Sequence, residues 1–455
     1  MAATDTTILF VGDMHLGRLP SRVPLDPGGR LPAPAELGPG AAWRAVVEEA
    51  IARKVDAVVL AGDVMDDVAT VFRGAAELNP GLERLGTEGI PVHAVAGNHD
   101  THVLPELARR GGITLLGPGG TWSAIDVAPP GRPPVRLVGW SFPLPHWTAS
   151  PLANPPPPAA PDRLTLGVLH AELDVMASDY APVSSGELAA TGYTAWLLGH
   201  VHTPGTINDA GRPFYLGSLS GLDPTETGVH GPVLATIRPG ARLSLLRLPL
   251  APLRWVTAEL DLTGAPRPAA DLAVLVTGAM CDACAAAAVA DDRALAMGIR
   301  LRLVGEVGDP EAVRNAAAAI MSEPPTTHTG RVAAFLDRLE TDIRRACDLR
   351  ALAAHATPPG LLARRLLVLE GAADVPGVAD GAARREELLR EARRCLAEAD
   401  AIGQYRALRD ACTNAEALAA ATEVARRLLE RFLPQATATP VPGRGERSGR
   451  ASDQD

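Results

Sequence analysis

Five short stretches of this chain carry residue types that bind divalent cations: Asp13-x-His15, Gly62-Asp63, Gly97-Asn98-His99-Asp100, His170 and Gly199-His200-x-His202. Carboxylate and imidazole donors suit manganese, iron or zinc better than calcium. Two such ions, bridged by one oxygen donor and left with open positions, make a machine for hydrolysing phosphate esters. Asp63 is the candidate bridge. Asp13 and His15 stand one residue apart, as do His200 and His202, and alternate residues of an extended segment face the same way, so each pair can reach one ion. Asn98 offers a neutral carbonyl oxygen that completes a shell without over-neutralising the metals. His99 is expected to project beside the ions, where it can give a proton to the leaving oxygen or stabilise charge on the phosphoryl group. Asp100 is the neighbour expected to orient its ring.

These residues need rigid elements to hold them. The first half of the chain reads as alternating strands and helices, with apolar runs at 7–11, 56–61, 91–96, 164–169 and 195–198 and a helix-periodic stretch at 42–53. Each apolar run stops at one of the five motifs, which is what a layered α/β domain would use to bring loops from several strands into one cleft. Any one of the histidines alone would be better read as a core or surface residue; the ordered set at strand ends carries the metal reading. His93 reads as strand interior, His102 as a neighbour of the cleft in a solvent-exposed turn, and His146, His230, His328 and His355 lack a partner pattern.

The chain has 455 residues, enough for two or three domains. Its net charge of −10, from 43 basic and 53 acidic residues, excludes gripping nucleic acid by charge alone. Lys54 is the only lysine. No stretch approaches the roughly 20 apolar residues that span a bilayer, and the N-terminus lacks the pattern of a secretory leader, so the expected compartment is the cytoplasm, with no membrane partner. Cys281-x-x-Cys284 has no second half-site and lies in an alanine-rich run, which favours a small-residue helix face over a zinc knuckle. Loops are expected at 19–40 and around Pro155-Pro156-Pro157-Pro158. Beyond Leu250 a small α/β module is expected, then from about Arg331 helical patterns rich in leucine, alanine and arginine, with breaks at Pro358-Pro359-Gly360 and Gly377, and from Ala436 a disordered polar tail.

The strings GDMHLG, AGDVMDD, GNHDTH, VLHAEL and GHVH, in this order, resemble the calcineurin-like metallophosphoesterase superfamily. Within it, D-x-H-L-G, GNHD and FYLGSLSGLDPTETGVHGPV are similar to the SbcD-type DNA-repair exonucleases. The resemblance implies an α/β metallophosphoesterase β-sandwich flanked by helices (1–250), a small α/β capping domain (251–330), a helical partner-binding region (331–435) and a tail (436–455). It implies one ion held by Asp13, His15, Asp63 and His202 and a second held by Asp63, Asn98, His170 and His200, with manganese as the working metal and His99 as the catalytic histidine. It also implies a DNA substrate (duplex ends or single strands), an SbcC-type coiled-coil ATPase as partner, docking through leucines such as Leu388, Leu389 and Leu396, and a homodimer. Gly217-Ser218 would lie near the cleft, and Thr225 to Gly228 would support the closing strands. Where some relatives carry a further histidine three residues after the bridging aspartate, this chain has Asp66. A small-molecule phosphodiesterase or pyrophosphatase, and a non-catalytic DNA-end scaffold, are the alternative functions.

Overall fold

A computed structural model describes residues 5–25, 29–66, 70–175, 177–207, 213–240, 242–400 and 413–436. The tail expected to be disordered, from 437 on, lies outside the described residues, as do Asp67 and Cys412. The chain divides into two compact units, the first holding 1–261, 267–304 and 313–342 and the second holding 262–266, 305–312 and 343–455.

Two sheets make the body of the first unit. One runs in the order Arg242–Arg247, Val233–Arg238, Thr6–Val11, Ala57–Ala61, Val92–Val95, Thr114–Leu115, and the last four of these strands are parallel. The other runs Trp122–Val127, Val135–Trp140, Leu164–His170, Ala195–Gly199, Phe214–Tyr215, again parallel from the second strand onward. Side-chain alternation along Thr6–Val11 shows how the layers form. Ile8 and Phe10 face the second sheet, packing in one cluster with Leu137, Leu166, Val168 and Leu197. Leu9 and Val11 face the other way, into a cluster with Trp43, Val46 and Leu78 of the helices Pro39–Arg53 and Val71–Thr87. Trp140, Leu169, Trp196 and Leu198 cover the outer face of the second sheet with Leu188 of the helix Ser185–Ala190. This is the layered α/β sandwich flanked by helices that the residue pattern predicts. Parallel strands buried on both faces need continuous apolar runs rather than alternation, and Ala57–Ala61 is buried at every position.

A third sheet, ordered Leu253–Asp261, Ala296–Val307, Val332–Arg345, Thr326–Thr329, carries the helices Leu272–Ala287 and Pro310–Ser322 on its connections. The expected boundary at 331, with helices beyond it, differs from this arrangement, because 332–345 is a strand paired within the sheet. The apolar residues of VAAFLDRLETDIRR fit either period; a neighbouring strand with free edges decides for the extended form. Trp255 and Phe335 meet edge to face, with ring centroids 5.6 Å apart, and Leu31 and Leu37 from the proline- and glycine-rich loop join their cluster. That loop is therefore packed, not merely a spacer. Cys281 and Cys284 share the helix Leu272–Ala287, where burial and the neighbouring Cys281 push the Cys284 thiol up to about 11.

From Leu349 onward the described residues of the second unit form the helices Leu349–Ala353, Pro358–Leu369, Gly381–Asp400 and Asn414–Ala436. Thr357 caps the helix Pro358–Leu369 through its hydroxyl on the Gly360 amide, with Pro358 at the first helical position, so the proline pair starts a helix rather than interrupting one. Leu362 and Leu366 pack against Ala425, Leu429 and Leu433 of the helix Asn414–Ala436. Arg426 bridges Glu306 and Glu370. Among the described residues no helix is long and apolar enough to cross a membrane.

Two outcomes follow from this packing. Phe335→Ala should cost about 3–5 kcal/mol by leaving a cavity against Trp255, read as an earlier first transition in urea denaturation. In the folded protein at pH 8, iodoacetamide should modify the exposed Cys395 and spare Cys284, whose thiol stays protonated until the pH approaches about 11; peptide mass spectrometry reads the difference.

Candidate metal centre

All five motifs arrive at the same end of the sandwich. Parallel strands from both sheets finish there, at Val11, Ala61 and Val95 in the first and at His170 and Gly199 in the second. The chain then turns sharply, and the turn rather than an extended alternation aims the side chains. Asp13, His15, Asp63 and His200 all have positive φ, at 35°, 46°, 47° and 101°. Such conformations cost non-glycine residues of order 1–3 kcal/mol each and persist where surrounding structure over-determines them. The expectation that Asp13 and His15, and His200 and His202, reach one ion by extended alternation is thus corrected. Gly62, with φ +88°, meets a further demand: a Cβ there would stand 2.5 Å from His170 Nδ1.

Asp13, His15 and His202 place donor atoms within 4.8 Å of one another. His15 Nε2 and His202 Nε2 face each other at 3.0 Å, and Asp63 Oδ2 is 3.7 Å from His15 Nε2. The outer nitrogen of each ring is already engaged: His15 Nδ1 donates to Asp66 Oδ1 at 3.1 Å and His202 Nδ1 donates to Glu226 Oε1 at 2.8 Å. A carboxylate can only accept, so the proton sits on Nδ1 and a lone pair is left on each inward Nε2. Two lone pairs at 3.0 Å repel unless a proton or a metal cation lies between them. Two nitrogens bound to one ion at about 2.1 Å each stand about 3 Å apart at a right angle, and the buried Asp13 Oδ2 has no hydrogen-bond partner. The donor set fits a divalent ion.

Asp13, Asp63 and His170 form a second close group, sharing the Asp13 carboxylate with the first. His170 Nδ1 donates to the Ala61 carbonyl at 3.1 Å, so its Nε2 faces Asn98 Oδ1 at 3.0 Å and Asp63 Oδ2 at 3.4 Å. His200 does not join this close group; its ring stands 5.2 Å from that of His170 and 5.0 Å from Tyr180, while its amide donates to Asp13 Oδ1 at 2.8 Å. Charge in this dry pocket is strongly coupled. Burial opposes ionisation of Asp63, but His170, His15 and His99 hold its carboxyl far below the usual range. Burial would lower His170, yet Asp63 and Asp13 push it up to about 9, so a proton competes with a cation for its Nε2. His200 is pushed down to about 3 by burial and by His170. Asp13 is raised by burial.

His99 is exposed at the rim, its ring centroid 5.2 Å from that of His15. Its amide donates to Asp63 Oδ1 at 3.0 Å and its Nδ1 donates to the carbonyl oxygen of Asp66 at 2.8 Å. The ring is therefore oriented by the backbone of Asp66, not by Asp100. Both Asp100 oxygens accept backbone amides, from Gly97 and Val64, each at 2.8 Å, and burial together with Asp63 pushes its carboxyl up to about 7. Asp100 pins the Gly62 and Gly97 turns together and touches no reacting group. Sequence reasoning missed what Asp66 and Glu226 do. Glu226 is buried; its Oε2 accepts from Ser218 Oγ and the Leu222 amide, while His230 contacts the Glu226 and Ser218 carbonyls. An acid ahead of a threonine-glycine turn gives no period or spacing that would have flagged it.

Gly97→Ala tests how closely the centre is built, because a Cβ at that position would strike Asp63 Oδ1. The variant should keep its circular dichroism spectrum and bind Mn(II) at least about tenfold more weakly, as displaced ligand geometry does elsewhere, measured by calorimetric titration of chelator-stripped protein.

Comparison with known proteins agrees with this geometry. Residues 6–204 match the family model of calcineurin-like phosphoesterases. The uncharacterized metallophosphoesterase YhaO of Bacillus subtilis is 26% identical over 262 residues, covering 52% of this chain and 59% of the relative. This chain thus spans less than two thirds of the length of that curated relative. Among solved structures, a dimetal phosphatase from Danio rerio aligns at 14% identity over 53% of this chain and 98% of that one, with a TM-score of 0.34. The calcineurin-like phosphoesterase YfkN from Bacillus subtilis aligns at 9% identity over 54% and 91%, also with a TM-score of 0.34. The motif set, the donor geometry and the family match point the same way: residues 6–204 are similar to calcineurin-like phosphoesterases and carry donor groups that could hold divalent metal.

Proposed function

We propose that this chain is a two-metal, manganese-dependent DNA phosphodiesterase, cutting as an exonuclease or endonuclease. The observation that carries the choice of DNA is the string FYLGSLSGLDPTETGVHGPV, which resembles SbcD-type exonucleases and whose Ser218 and Glu226 lie directly behind His202. Asp13, His15, Asp63 and His202 would hold one ion, and Asp63, Asn98, His170 and His200 the other. When bound, the ions supply activation of water and neutralisation of charge on the phosphoryl group. The chain's own residues do the rest. Asp63, whose Oδ2 lies 3.7 Å from His15 Nε2 and 3.4 Å from His170 Nε2 while Oδ1 accepts the His99 amide, sets the spacing between the two donor groups. His99 keeps Nδ1–H on the Asp66 carbonyl and turns Nε2 to the open rim, where a proton held on that nitrogen can pass to the leaving oxygen. In this reading the helices from Leu349 dock an SbcC-type coiled-coil ATPase, and the working form is a homodimer.

A small-molecule phosphodiesterase is the second reading, favoured by the net charge of −10, which repels a polyanion. Purified protein with Mn(II) should degrade duplex or single-stranded DNA. His99→Ala should lower kcat by about 10²–10⁴-fold while metal content stays unchanged, and Asp63→Ala should lose both metal and activity. Hydrolysis of nucleotide diesters or pyrophosphates with none of DNA, at every salt concentration tried, selects the second reading.

A further inference from the structure

Three histidines point Nε2 into the centre, and what stands behind each of them differs. Behind His15 is the Asp66 carboxylate, 3.1 Å from Nδ1, and behind His202 is the Glu226 carboxylate, 2.8 Å from Nδ1. Behind His170, Nδ1 is hydrogen-bonded to a neutral backbone carbonyl, that of Ala61, at 3.1 Å, with the Asp13 carboxylate beyond hydrogen-bond reach at 3.8 Å. Among the described residues, the His200 ring packs on Tyr180 and His170 and has no carboxylate hydrogen-bonded behind it. An anionic acceptor on Nδ1–H makes the opposite nitrogen a stronger base and fixes its direction, and loss of such a partner weakens metal binding by about 10–100-fold. Charge adds to the difference. Asp13 belongs to both close groups and Asp63 Oδ2 stands 3.7 Å from His15 and 3.4 Å from His170, so the difference lies in Asp66 and Glu226, hydrogen-bonded behind the rings of the first group, where the second adds only the neutral Asn98.

We infer that Asp66 and Glu226 are positioning residues that make the two ion positions unequal, so that the ion at Asp13, His15 and His202 is resident and the ion at Asn98, His170 and His200 exchanges. The two acids are held for this task by different means. Glu226 is fixed by Ser218 Oγ and the Leu222 amide, each within 2.9 Å of its second oxygen, and by His230 on its own carbonyl at 3.0 Å. Asp66 Oδ1 also has Arg18 3.8 Å away, and its backbone carbonyl is the one that orients His99. Asp66 thus links the resident ion's ligand to the proton-carrying histidine.

This inference rests on the assignment of the seven metal ligands, and its test separates the two. Chelator-stripped protein is titrated with Mn(II) alone, with bound ion followed by calorimetry and free ion by electron paramagnetic resonance. Two classes of one ion each are expected. D66N and E226Q should each weaken the tight class by about 10–100-fold and leave the weak class and the thermal midpoint in place. Asp66 is half-buried with an isosteric replacement, so D66N remains informative even where E226Q disturbs the Ser218 and Leu222 contacts. A single class of two ions, a D66N that shifts both classes equally, or one that shifts neither overturns the inference. Independent of that, a D63N protein that binds both ions like wild type would overturn the ligand assignment itself.

Discussion

Two imidazole nitrogens face each other across 3.0 Å beside a buried, unpartnered carboxylate oxygen, and this crowding of lone pairs is the constraint on which the rest of the first unit depends. Like-natured acceptors do not gather in a dry interior without something to hold them, because each would lose its hydration for nothing. Here the holding is done from outside the cluster. Asp66, Glu226 and the Ala61 carbonyl each take one histidine proton and so force a lone pair inward. Asp100, spent entirely on the Gly97 and Val64 amides, locks the two turns that carry Asp63 and Asn98. Four residues of the centre sit at positive φ, so strain and burial are both concentrated where the chemistry is, and the two apolar clusters of the sandwich hold it in place.

Rigid strands and sharp turns divide the labour. The strands are buried on both faces and have little freedom, which fixes where each turn starts to within a fraction of an ångström. The turns then decide direction, and they do so with glycine where backbone or a ring comes close, as at Gly62 against His170. A layout of this kind tolerates change along the outer helices far better than within one residue of a motif. The two close donor groups share Asp13, so a change there alters the electrostatics of both.

Much of this was legible from residues. Strands that end in Gly-Asp, Gly-Asn-His-Asp or Gly-His announce both the layered fold and the identity of the cluster, because apolar period and chemical motif coincide at the same positions. What was illegible has physical reasons. Asp66 and Glu226 lie in polar loops, where an acid facing solvent and an acid facing a histidine look alike. Asp100 follows His99 directly, and adjacency suggested a contact that the turn does not make. Residues 332–345 carry apolar side chains compatible with helix or strand, and only the neighbouring strands, distant in sequence, choose between them. The extended alternation expected for Asp13 and His15 failed because a chain leaving a parallel strand must reverse, and reversal needs a left-handed turn.

The donors of the centre are spread from Asp13 on the first strand of one sheet to His202 beyond the fourth strand of the other. No stretch of the chain can therefore assemble a complete site locally. During synthesis, the cluster stays unmade until residue 202 has emerged and both sheets have closed, so an ion captured there meets a finished sandwich and adds to its stability as any ligand of the native state does, by about 2.7 kcal/mol at a hundredfold excess over its dissociation constant. A cation bound in this position would tie the ends of the two sheets together, so that its affinity and the closure of the sandwich would be coupled.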